Sequence, residues 1–214
     1  VDGPFDVDDQ LSTLCSVDKQ ALGLTGAVMG ILQFHFSNPD SVQHPQLKGY
    51  IWNNDVKLSK ILLQHVWQWK IQTGEKRPAI LVKRNALNYE SVAIGDGAAT
   101  VTDLDDDTLP LTGQTEMQLS CAGSHTIFAL SMIPGEAEIL AGEIATKLVQ
   151  FGQAIRQELG FSKFNLTTIG EIFSVEEASG YFGVPITLAY RYAEAWLVES
   201  EGPFLKRFAF GTKI

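Results

Sequence analysis

The apolar positions of this chain repeat with two different periods, and the change of period marks its elements. Between Gly135 and Leu159 the residues Leu140, Ile144, Leu148, Phe151, Ile155 and Leu159 step by three or four. That spacing places all six on one face and predicts a long helix packed on a sheet. Pro134 stands where a helix start tolerates a missing N–H, Glu136 and Glu138 suit the positive N-terminus, and Gly160 suits the stop. From Tyr181 to Val198 the period is two: Val184, Ile186, Leu188, Tyr190 and Tyr192 alternate with Pro185, Thr187, Ala189, Arg191 and Ala193. Such alternation predicts a strand with one core face and one small or polar face. Pro185 predicts an edge position or a place at the strand's beginning.

Weaker patterns fill in the rest. Ala21 to Phe36 predicts a first helix, stopped before Pro39. Gly23, Gly26 and Gly30 weaken it in isolation, so it is expected to be packed. His44 to Trp52 reads as a loop or a short helical turn. Lys60 to Lys70 is rich in β-formers and predicts the first strand; Ala79 to Lys83 is almost wholly apolar and predicts a central one. Glu116 to Met132 reads as two strands with a turn near Gly123, and Phe164 to Glu176 as a further strand. The organisation is then an acidic arm over residues 1–18, one α/β domain over 19–198, and a tail over 199–214. Residues 85–114 form a long Gly-, Thr- and Asp-rich insertion in the domain, a candidate functional loop by its length. The tail carries Phe204, Leu205, Phe208 and Phe210 outside any packed pattern, and they are expected to want a groove in this subunit or a neighbour.

Composition narrows the partners. Apolar residues make up 45% of the 214, enough for a sizeable core. Charged residues make up 19%, below the roughly 25% usual for soluble domains, as expected where surface is buried against other subunits. A net charge of −9 argues against nucleic acid as the main partner, since Lys76, Arg77, Lys83 and Arg84 are too sparse a basic cluster to grip phosphates. Cys15 and Cys121 are far apart, with neither metal-ligand spacing nor a disulfide framework, and Cys121 is expected to be a small buried strand residue. The first residues are acidic rather than basic, unlike a secretory signal, and the start at Val1 fits loss of an initiator methionine. The apolar run Ala21 to Leu32 is shorter than the ~20 residues needed to cross a bilayer. A soluble protein of a reducing compartment is expected.

No pattern of catalytic residues stands out. Asp103, Asp105, Asp106 and Asp107 are clustered hard oxygen donors, but they lack the spacing, central glycine and closing glutamate of a calcium loop. A solvated loop tip, or a contact with a basic partner, is the better reading. Gly95, Asp96 and Gly97 lack the lysine of a phosphate loop and read as a tight turn. Ser124 and His125 are neighbours on a strand and point to opposite faces, so His125 reads as a histidine satisfied by hydrogen bonding or packing. Glu136, Glu138 and Glu143 read as not converging on one helix face. Tyr50, Trp52, Trp67, Trp69 and Trp196 read as core or interface aromatics, with a ligand groove as the alternative. No catalytic, cofactor or metal-binding set is expected.

Four stretches carry a resemblance. They are HFSNPDSVQHPQLKGYIWNNDVKLSKILL from His35, RPAILVKRNAL from Arg77, GSHTIF with GEAEILA from Gly123 to Ala141, and FSVEEASGYFGVPITLAYRYAEAW from Phe173. Together they resemble a family of tailed-bacteriophage virion proteins near the tail terminators and other neck proteins. The likeness spans roughly Phe34 to Trp196 and is one of overall pattern. It implies a small mixed, mostly antiparallel sheet with helices on one face. It also implies a ring, commonly hexameric, at the head–tail junction of the virion, assembled in the host cytoplasm. The implied partners are copies of the chain itself and neighbouring connector and tail proteins, with DNA passing through unread, no membrane, no cofactor and no catalytic residues. On that reading the acidic run Asp103, Asp105, Asp106 and Asp107 would face the DNA channel. The alternatives are a metal-dependent hydrolase using that run, and a small-molecule module using the aromatic cluster.

Overall fold

A computed structural model of the chain describes residues 21–69, 77–90, 114–176, 178 and 180–199. The acidic arm, most of the long insertion with Asp103, Asp105, Asp106 and Asp107, and the tail with Phe204, Leu205, Phe208 and Phe210 lie outside the described residues. The described elements run α1 (Ala21–Ser37), β1 (Leu62–His65), β2 (Ala79–Glu90), β3 (Gln114–Ser131), α2 (Pro134–Glu158), β4 (Lys163–Ile169), β5 (Phe173–Ser174) and β6 (Phe182–Glu199). Single 3₁₀ turns, Pro45–Leu47 and Val66–Gln68, precede and follow β1.

The strands form one mixed, mostly antiparallel sheet in the order β1-β2-β3-β6-β4, with β5 also paired to β6. β1 runs parallel to β2 with Leu62 opposite Ala79. β4 runs antiparallel to β6, placing Phe164 opposite Tyr190 and Leu166 opposite Leu188. Thr25 of α1 reaches His125, and Glu136 of α2 reaches Ser131. Both partners are odd-numbered residues of β3, so both helices cover the same sheet face.

By contacts the chain divides into two units, residues 1–88 with 122–192 and residues 89–121 with 193–214. The first unit holds both helices and a core between them and the sheet, built from Leu24, Leu32, Ile80, Ile127, Leu140, Ile144, Ile186 and Leu188 among others. A smaller cluster lies around Leu62, Leu81, Leu130 and Tyr181, with Trp69 edge-on to Tyr181. In the second unit Ser120 and Cys121 are buried on β3, as expected for that cysteine.

Several local expectations need correction. β3 is one continuous strand rather than a hairpin. Gly123 is required there by crowding: a Cβ would meet Leu87 Cδ2 and the Tyr190 hydroxyl, each at 2.6 Å. β2 runs on to Glu90, so the insertion read from residue 85 begins later. β1 covers only Leu62–His65 and gives way to the 3₁₀ turn that brings Trp69 onto Tyr181. The strand read from Phe164 to Glu176 breaks at Gly170, whose N–H donates to Pro185 O at 2.8 Å and whose missing side chain makes room for the Pro185 ring. Of the two places read for Pro185, an edge or a strand's beginning, it takes the second, near the start of β6, an internal strand. Five of the six periodic residues of α2 are buried or half-buried; Phe151 is 39% exposed. The sheet meets that turn at Gly152, where the Phe164 ring packs, which leaves Phe151 on the flank.

Candidate functional site

The most concentrated polar chemistry of the first unit lies where α1, the loop after it and α2 meet. Glu143 sits on the buried stripe of α2 and is only 7% exposed. Its Oε1 accepts from His35 Nε2 at 2.9 Å and from the Gln43 backbone N–H at 2.9 Å; its Oε2 accepts from the His44 N–H at 3.3 Å. One carboxylate thereby ties the end of α1 and the loop before Pro45 to the middle of α2. His35 is buried beside Phe36, edge-on at 4.9 Å. Burial lowers its pKa below the ordinary 6.5; the Glu143 hydrogen bond pulls the other way without restoring it. The neutral ring then donates from Nε2.

About two turns away on the same helix face, Glu136 accepts from Tyr50 Oη at 2.5 Å and from the Ser131 hydroxyl. The Glu136 contact, with burial, pushes the Tyr50 pKa up to about 12. Glu136 and Glu143 are seven residues apart and share one face, while the three glutamates together do not converge on one face. Only Glu138 points to solvent. The readable signal was position: Glu143 falls between Leu140 and Ile144 on the apolar stripe, where an unpaired charge would be costly.

Beside this tie is an open cleft of about 380 Å³ lined by Gln43, His44, Pro45, Ile139, Gly142, Glu143 and Thr146. Its one carboxylate already has its donors, and His44 Nδ1 accepts from the Gln46 N–H at 3.4 Å. Among the described residues no group of three or more His, Cys, Asp or Glu is placed to hold a metal ion. The Glu143 contacts beside the cleft hold α1, the loop after it and α2 in register.

His125 behaves as read. It is fully buried, its Nε2 lies 2.7 Å from Thr25 Oγ1, and its ring packs on Tyr190 at 5.3 Å. Burial, with Arg84 and His65 nearby, lowers its pKa to about 4. Ser124 points the other way and accepts from Asn85 Nδ2 at 3.0 Å, so the two do not form a catalytic pair. The aromatic residues are dispersed. Tyr50 bonds Glu136, Trp69 packs on Tyr181, Trp67 is 75% exposed, Trp52 is half-buried, and the Trp196 side chain lies outside the described residues.

What the sequence did not reveal is an apolar end to the sheet. Tyr181 Oη donates to Arg77 O, Leu62 N to Pro78 O, and Leu130 packs where Gly183 lacks a side chain. The starts of β1, β2 and β6 and the end of β3 therefore share one end. Seven of the twelve large apolar residues exposed among the described ones lie on or next to the strand ends there. Val56 and Leu58 precede β1, Met132 and Ile133 follow β3, and Ile169, Ile172 and Phe173 bridge β4 to β5. Exposed apolar residues brought to one end of a sheet offer material for a contact surface. No periodicity could foretell it, because its members come from three connections between elements. Compared with known proteins, the sequence matches no family model and no curated protein.

Proposed function

We propose that this chain is a structural subunit of a tailed-phage head–tail junction. In this reading copies close into a ring between the head connector and the tail, and DNA passes through its lumen. The observation that carries the assembly part is the apolar end of the sheet. Ile133 at 60% exposure and Ile169 at 46% would be costly to leave in water on a lone subunit, and burying apolar surface yields roughly 25 cal/mol per Å². The resemblance over Phe34 to Trp196 supplies the setting, and the mixed sheet with both helices on one face agrees with the fold it implies. Head-to-tail contacts between identical subunits close into rings when the rotation permits. Electron micrographs of the purified protein test the reading. Rings with an open lumen are expected; isolated subunits at every concentration would contradict it.

A further inference from the structure

A stripe of buried side chains attaches α1 to the rest of the first unit, with polar contacts at both ends of it. Leu24, Val28, Leu32 and Phe36 form the stripe, and Thr25 and His35 are buried beside them. Near the start of the helix the Thr25 hydroxyl lies 2.7 Å from His125 Nε2; near its end His35 Nε2 donates to Glu143 at 2.9 Å. That end is tied again by the Trp52 N–H, which donates to Phe36 O at 2.9 Å. As a helix, α1 bonds its backbone internally, outside the ladders of the sheet, so it can leave while the strand pairings stay intact. Gly23, Gly26 and Gly30 make it a poor helix once undocked.

The two ends answer acid differently. His125 is fully buried, and its Nδ1 has no hydrogen-bond partner among the described residues. Among those residues, the charged or titratable groups facing it are Arg84 from β2, His65 from β1 and Tyr190 from β6, while α1 offers the uncharged Thr25. None of them is a carboxylate. Protonation makes both ring nitrogens donors, leaves Nδ1–H without an acceptor and sets a cation in a dry site beside Arg84. Strand pairing closes the sheet side of the ring, so the side that opens to water is α1. His35 Nδ1 is also unpartnered and Lys147 opposes its charge, but a protonated His35 faces the Glu143 carboxylate, which favours the charged ring. His125 has no such counterpart.

We propose that α1 is an acid-released element: protonation of His125 frees its Thr25 end from the sheet while the Phe36 end stays attached. The direction follows from linkage. The closed fold keeps the ring neutral down to about pH 4, whereas a ring opened to water takes its proton near 6.5. Opening therefore grows as the pH falls through that window and is suppressed above it. A single subunit suffices for this, whatever the chain assembles into.

Amide hydrogen exchange of the full chain at pH 7 and pH 5, corrected for the intrinsic rate at each pH and repeated in low urea, tests it. The amides of residues 25–31 are expected to exchange about twentyfold faster at pH 5, a factor set by the two proton affinities of His125. Their exchange is expected to be insensitive to low urea, as for a local opening, with residues 33–37 accelerated less. The amides of β3 and β6 are expected to stay slower and to follow urea as global unfolding does. His125→Asn is expected to remove the acceleration in residues 25–31. Where that variant does not fold, His125→Gln replaces it, and the urea dependence of the unaltered chain decides on its own. Unchanged exchange at pH 5, a common rate and urea dependence for α1 and the strands, or the same acceleration in the His125 variant would each overturn the inference.

Discussion

Glu143 shows how much one side chain can hold in place. Three donors from two separate parts of the chain converge on its carboxylate, inside a helix face otherwise made of Leu140, Ala141, Ile144 and Leu148. Glu143→Ala leaves His35 Nε2 and two loop amides without an acceptor, and is expected to cost about 3 kcal/mol in urea unfolding. A loss below about 0.5 kcal/mol, typical of a surface change, would contradict that role. His125 makes the complementary statement about protonation. Its pKa is about 4 in the fold and 6.5 in the unfolded chain, so between those values the unfolded state binds the extra proton. Its contribution is present in full above pH 6.5 and is lost as the pH falls toward 4. From pH 6.5 to 5 that is on the order of 2 kcal/mol. His35, also lowered, adds in the same direction. Urea unfolding at pH 7 and pH 5 is expected to show this drop, reduced in His125→Asn. An equal drop in that variant would place the effect elsewhere.

At the scale of elements, α2 separates what packs from what does not. Leu140 is fully buried and Val149 is 62% exposed on the same helix. Leu140→Ala is expected to cost ~3 kcal/mol through lost burial and the cavity left behind, and Val149→Ser no more than about 0.5 kcal/mol. Thermal or urea unfolding of the two variants checks this, and equal losses would mean that α2 faces the sheet differently. α2 and β6 were legible in the sequence because each lies on a one-sided boundary between core and surroundings, which imprints a clean period. β3 was misread because Gly123 looks like a turn; its real cause, the Tyr190 ring and Leu87 closing on it, is a tertiary contact with no local trace. The break at Gly170 is of the same kind, set by Pro185 across the strand pair. Glu136 and Glu143 could have been found by spacing alone, since seven residues are nearly two helical turns. The apolar end could not, because the fold assembles it from separate connections.

For the whole molecule, the two sheet edges and the sheet end differ in what they offer a neighbour. β1 is an edge of only four residues, and β4, the other edge, carries an irregularity between Leu166 and Thr168 and exposes Lys163, Asn165 and Thr167. Short and bulged edges resist pairing with other strands. The sheet end is the reverse, with exposed isoleucines and a phenylalanine drawn from three connections. Native mass spectrometry of the unaltered protein over a range of concentrations tests the ring reading most directly. The account predicts a closed oligomer of fixed stoichiometry, with the hexamer as the state the family resemblance implies. A strict monomer throughout would contradict it.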